Sequence, residues 1–88
     1  MQQNSSKKRV QVEIFGDNYI IKGNAAGEYI MQVADYVDKK MNIIGQRNPH
    51  LSIKQIAVLA ALNIADELYK LQEDYDKLLQ ILEEGQES

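Results

Sequence analysis

The chain holds one histidine, no cysteine and no tryptophan among 88 residues, which leaves little scope for side-chain chemistry. His50 is the sole imidazole. It can act as a general acid or base only where a second group orients it and a cleft holds a substrate. It lies instead in Asn48-Pro49-His50-Leu51, a turn sequence that reads as surface. One histidine without cysteine cannot assemble the usual zinc ligand sets. Gly16, Gly23 and Gly27 match neither the GxGxxG nor the Walker pattern that cradles phosphate. The carboxylates fall on the outer faces of predicted helices, so no pair is poised for acid–base work. No catalytic residue, cofactor or metal is expected, and the chain reads as a binding protein rather than an enzyme.

The charge pattern narrows the partners. Residues 66–88 carry eight acidic side chains against Lys70 and Lys77, whereas residues 1–65 carry eight basic and five acidic ones. Much of the basic excess is Lys7, Lys8 and Arg9 in a polar lead, which is no nucleic-acid footprint. The lead lacks the apolar stretch of a signal peptide, and no segment approaches the length of a membrane span. With the absence of cysteine, this points to the cytoplasm, with neither nucleic acid nor membrane as a partner.

The elements that position the remaining candidates follow from periodicity. Val10, Val12 and Ile14 alternate with polar residues, as in a half-buried strand. Gly16-Asp17-Asn18 supplies a tight turn, and Tyr19–Lys22 resumes the strand pattern. Such a hairpin is marginal alone and must rest on other elements. Asn24 or a neighbour is placed to cap a helix beginning near Glu28. Ile30, Val33, Val37, Met41 and Ile44 then form its apolar stripe, with Asp35, Asp38, Lys39 and Asn42 on the solvated side. Gly45 is placed to end it.

Ser52 and Gln55 have the spacing of a capping box, and no Pro or Gly follows until Gly85. A helix of about 33 residues would be ~50 Å long. That far exceeds the radius of about 12 Å of a compact chain this size, so the helix must project. From Ile53 to Ala65 it is apolar on nearly every side, more than one hairpin and one short helix can cover. Beyond Ala65 the stripe narrows to Ile64, Leu68, Leu71, Tyr75, Leu78 and Leu82, a coiled-coil seam. Ile56, Leu59, Ala60, Asn63 and these seam residues are the predicted dimer interface. Small size without disulfides or metal leaves self-association as the way to complete a core. With Leu68 and Tyr75 at position a, Glu67 and Asp74 fall at g. A parallel pair avoids setting acid against acid and is favoured, with a four-helix arrangement left open.

Two groups of residues suit a partner surface. Tyr29 sits off the apolar stripe and reads either as a ring packed on the hairpin or as an exposed aromatic anchor. Lys39, Lys40, Arg47 and Asn48 gather towards the end of the same helix. There cations complement the helix dipole singly and steer an acidic partner as a cluster.

The segments Val12-Glu13-Ile14-Phe15-Gly16, Val33-Ala34-Asp35-Tyr36-Val37-Asp38-Lys39-Lys40-Met41 and Ala57-Val58-Leu59-Ala60-Ala61-Leu62-Asn63-Ile64-Ala65-Asp66-Glu67-Leu68 carry a resemblance. In order and spacing, over about residues 10–71, they resemble the ZapA family of bacterial cell division proteins. The resemblance implies a small dimerising head, a C-terminal coiled coil and no enzymatic activity. It also implies binding to the tubulin-like GTPase FtsZ, whose protofilaments such proteins cross-link to stabilise the division ring at midcell. Some relatives place basic residues in the hairpin turn where this chain has Asp17 and Asn18, and its coil is shorter than that of longer relatives whose coils join two dimers.

The expected architecture is thus α+β, a β-hairpin followed by a short helix and a long C-terminal helix. Residues 1–9 are a disordered lead, 10–65 a dimerising head with the start of the long helix, 66–84 a coiled-coil tail and 85–88 a disordered end. On this reading Asn24, Glu28, Tyr29, Ile30, Lys39, Lys40, Arg47 and Asn48 form the FtsZ-binding surface. The alternative is a coiled-coil adaptor for a different protein.

Overall fold

A computed structural model describes residues 8–87, and the expectation for residues 1–7 lies outside them. The chain forms two strands and two helices: β1 (Lys8–Ile14), β2 (Asp17–Gly23), α1 (Gly27–Arg47) and α2 (Ile53–Glu87). This is the α+β order expected from periodicity. The two strands pair antiparallel, with Ile14 opposite Asp17, Val12 opposite Tyr19 and Val10 opposite Ile21. Lys8 and Arg9 therefore belong to the sheet and not to a disordered lead. Opposed residues share a face of an antiparallel ladder, so the alternating Val10, Val12 and Ile14 all meet α1.

The turn is displaced from its predicted place. It consists of Phe15 and Gly16, both with positive φ (51° and 86°), the two-residue loop whose twist matches the flanking strands. Asp17 and Asn18 open β2. A left-handed phenylalanine is costly, and contacts distant in sequence stabilise it. The Phe15 N–H donates to the Asp38 carboxylate at 2.8 Å, so Asp38 holds the turn instead of facing solvent. The Phe15 ring lies over Gly45, where an added Cβ would stand 3.1 Å from the ring edge. Gly45 thus lies inside α1 and makes room for that ring, while Asn48 ends the helix. The Asn48 main-chain and side-chain N–H groups both reach the Ile44 carbonyl, each at 3.0 Å.

Two small clusters form the core. Val12, Ile30 and Ala34 pack together beneath the hairpin, flanked by Val10 and Ile14. Met41, Ile56 and Ala60 pack where α1 meets α2, with Phe15, Val37, Ile44 and Leu51 around them. Ala34 takes the place expected for Val33, whose side chain is exposed. The N-cap of α1 is Ala26, with no side-chain hydrogen bond to the helix, and not Asn24. The Ser52–Gln55 capping box forms as predicted, the Ser52 N–H donating to Gln55 Oε1 at 3.0 Å and the Gln55 N–H to Ser52 Oγ at 3.2 Å.

The 35 residues of α2 run through Gly85 to Glu87, so residues 85–87 are helical where disorder was expected. At 1.5 Å per residue this helix is ~52 Å long. The radius of gyration, 18.4 Å, exceeds the roughly 12 Å of a compact chain of this length. The head is small and α2 projects from it.

Candidate protein-binding surfaces

The eight residues expected to form one binding surface do not all reach solvent. Ile30 is only 9% exposed and belongs to the core beneath the hairpin, so it has no surface to offer a partner. Lys40 is drawn across to α2, where it bridges the Glu67 carboxylate and donates to Asn63 Oδ1 at 2.9 Å. Asn48 is half-buried in the helix cap described above. Asn24, Glu28, Tyr29, Lys39 and Arg47 remain exposed, with Lys39 paired to Asp35 at 2.9 Å. Tyr29 is 59% exposed, which leaves its ring accessible to a partner. Tyr29 and Arg47 lie on one line of α1 but about 27 Å apart along it, so they are two patches and not one.

Lys40 belongs to a clasp between the helices. The Glu67 carboxylate accepts from both Lys40 Nζ and the Tyr36 hydroxyl. The ammonium also lies 5.5 Å from the Tyr36 ring centroid, within cation–π range. The hydrogen bond from Lys40, and then that from Tyr36, hold Glu67 below its ordinary pKa. The Glu67 carboxylate in turn raises both Lys40 and Tyr36 above theirs. Periodicity could not show this clasp, because α1 and α2 contribute its members from residues 23 to 31 positions apart. It also neutralises the acid at one of the two g positions from which a parallel coil was argued.

The second surface is apolar. Of the residues expected at a dimer interface, Ile56 (4% exposed) and Ala60 (2%) pack on Met41 within their own chain and are corrected to intrachain core. Asn63 accepts from Lys40. Ile64 is half-buried, and Leu59, Leu68, Leu71, Tyr75, Leu78 and Leu82 are exposed. Val58 and Leu62, missing from the expected interface, are exposed too. Their signal was the all-round apolar character of residues 53–65, which does not say which side meets α1. A third apolar region flanks the hairpin, a groove of about 220 Å³ lined by Ile14, Ile21, Tyr29, Val33 and Val37. No helix among the described residues is long and apolar enough to cross a membrane. His50 stands exposed in its turn.

A small α+β head carried on a projecting helix, with uncovered apolar faces on both, defines a stalked binding module. The family model for cell division protein ZapA matches residues 10–88. Cell division protein ZapA of Geobacillus sp. (strain WCH70) is 47% identical over 76 residues, 86% of this chain and 87% of that one. Its counterpart in Shouchella clausii (strain KSM-K16) is 42% identical over 76 residues, covering 86% and 97% of the two chains. A solved structure, a ZapA mutant dimer from Geobacillus stearothermophilus, superimposes with a TM-score of 0.70 at 37% identity, covering 94% of this chain and 96% of that one. The chain belongs to the ZapA family of cell division proteins.

Proposed function

We propose that this chain acts as a homodimer that binds FtsZ and cross-links its protofilaments, stabilising the division ring at midcell in the cytoplasm. The observation that supports this most is the apolar seam of α2, from Leu68 to Leu82, which its own chain leaves uncovered. A second copy of α2 laid along that seam removes it from water and brings two heads into one particle. A two-fold particle displays every head surface twice, so one dimer holds two FtsZ subunits. Each contact can be weak, because the second is effectively intramolecular along a polymer. The dimeric relative and the family's cell division name support both parts of the reading.

The contact on the head comprises two patches, Asn24, Glu28 and Tyr29 in and just before the first turn of α1 and Lys39 and Arg47 further along it. Sedimenting FtsZ polymers with GTP tests this directly. The protein is expected to co-pellet and raise light scattering through bundling, and Tyr29→Ala or Arg47→Ala to weaken both while the dimer persists. An intact dimer that neither co-pellets nor bundles overturns the FtsZ reading and favours an adaptor for another protein.

A further inference from the structure

The side of the hairpin opposite the apolar groove carries a different feature. A groove of about 540 Å³ runs between β1 and α1, bordered by Gln11 and Glu13 of the strand and by Glu28 and Asp35 of the helix, with Val12 and Met31 on its floor. β2 contributes no lining residue, so the groove follows the outer edge of β1. The two-residue turn makes Ile14 and Asp17 a hydrogen-bonded pair, and alternation along the ladder makes Val12–Tyr19 and Val10–Ile21 the next ones. Gln11 and Glu13 occupy the intervening positions, so their main-chain N–H and C=O groups point away from β2 towards the groove. Neither finds a main-chain partner across that edge among the described residues.

We propose that this groove is a docking site for an extended, basic segment of a partner protein, added to the sheet as a third strand along β1. Main-chain groups at an open sheet edge are matched by another extended chain, and side-chain pockets supply the selectivity. Two features of the groove set that selectivity. Its floor includes the exposed thioether of Met31, which adapts to an apolar side chain of any shape. Its helix side carries Glu28 and Asp35, of which only Asp35 has an ion-pair partner among the described residues, Lys39, while the Glu13 side chain lies on the other face of the ladder. Gln11 and Glu13 are separated by about 7 Å, so three or four residues of ligand span the site. Alternate side chains of an extended segment point to opposite faces, so a ligand alternating cationic and apolar residues sets its cations towards Glu28 and Asp35 with their methylene stems over Met31. This site lies away from the Arg47 end of α1 and from the α2 seam but shares Glu28 with the proposed FtsZ contact, so the titration below reads its occupancy without FtsZ present.

The test is a titration of the full-length, isotope-labelled protein with a capped octapeptide alternating lysine and valine, followed by amide and methyl resonances. The Gln11 and Glu13 amides and the Met31 methyl are expected to shift saturably, at one peptide per chain. Hydrogen exchange at the two amides should slow by about tenfold or more. A Glu28→Gln/Asp35→Asn variant, changed only at exposed positions and checked for unaltered helix content, should bind about tenfold more weakly. The matching glutamate–valine peptide should cause no shift. The proposal is overturned if β1 amides stay still, if the variant binds as tightly as the wild type, or if the acidic peptide binds as well. Shifts at Gln11 and Glu13 that follow protein concentration without peptide would assign the edge to a second copy instead.

Discussion

Residues 53–67 and residues 68–85 of α2 belong to one unbroken helix, yet only the first stretch buries side chains against its own head. Ile56 and Ala60 pack on Met41, and Glu67 is clasped by Lys40 and Tyr36. Beyond Glu67 the same helix exposes Leu68, Leu71, Tyr75, Leu78 and Leu82 along one side. Both stretches are rich in apolar residues, so composition does not separate them. What separates them is the source of cover: α1 for one face of the first stretch and, in the dimer we propose, a second chain for the seam of the other. A short chain with a small core can be half of a larger one, and here the division runs along a single helix.

Substitutions can break this contrast in a graded way. Leu71→Glu places a charge in the seam and should all but abolish association, at a cost of roughly 4 kcal/mol or about a thousandfold in the dimer dissociation constant. Sedimentation equilibrium checks it, and unchanged association would refute the seam. Ile56→Ala acts on the other stretch. It empties a site 4% exposed and should cost the folded head roughly 3 kcal/mol in denaturant unfolding, with seam pairing spared once folded. Asp38→Ala removes the carboxylate that holds the Phe15 turn and should cost about 1.5 kcal/mol by the same measurement.

The smallest effect is that of pH on the clasp. Glu67 is held below its ordinary pKa by Lys40 and Tyr36, so its contribution is complete above the usual carboxylate range and fades as acid protonates it. Lys40 and Tyr36 are raised, chiefly by hydrogen bonding to Glu67, so their contributions are complete below their ordinary values. Those contributions are lost as pH rises beyond about 10. Thermal unfolding of wild type and Glu67→Gln should therefore differ most on the plateau from about pH 5 to 9 and converge at both extremes. The exposure of these groups keeps the difference modest and sensitive to salt.

The sequence makes some of this legible and hides the rest for identifiable reasons. The order of elements, the Ser52–Gln55 cap, the projecting helix and its exposed apolar stripe follow from local spacing, and all of them appear in the structure. The turn at Phe15–Gly16 does not, because local preference points to Gly16-Asp17-Asn18. A left-handed phenylalanine makes sense only with Asp38 and Gly45 in place, 23 and 30 residues away. Ala34 displaces Val33 from the core because the sheet approaches α1 along the line of the smaller residue. The same limit applies to binding surfaces. Lys40 looks like one of a cluster of exposed cations until α2 brings Glu67 beside it, and Ile56 looks like an interface residue until α1 covers it. Periodicity identifies an apolar face, but only the packing says which neighbour takes it.

The central claim, that one chain supplies half of a shared core, is tested most directly by the mass of the particle in solution. Multi-angle light scattering across a dilution series, with helix content followed in parallel, should give about 20 kDa, twice the 10.0 kDa chain, or a multiple of it. Helix content should fall only where dilution dissociates the particle. A fully helical, stable species at the mass of a single chain would contradict the account.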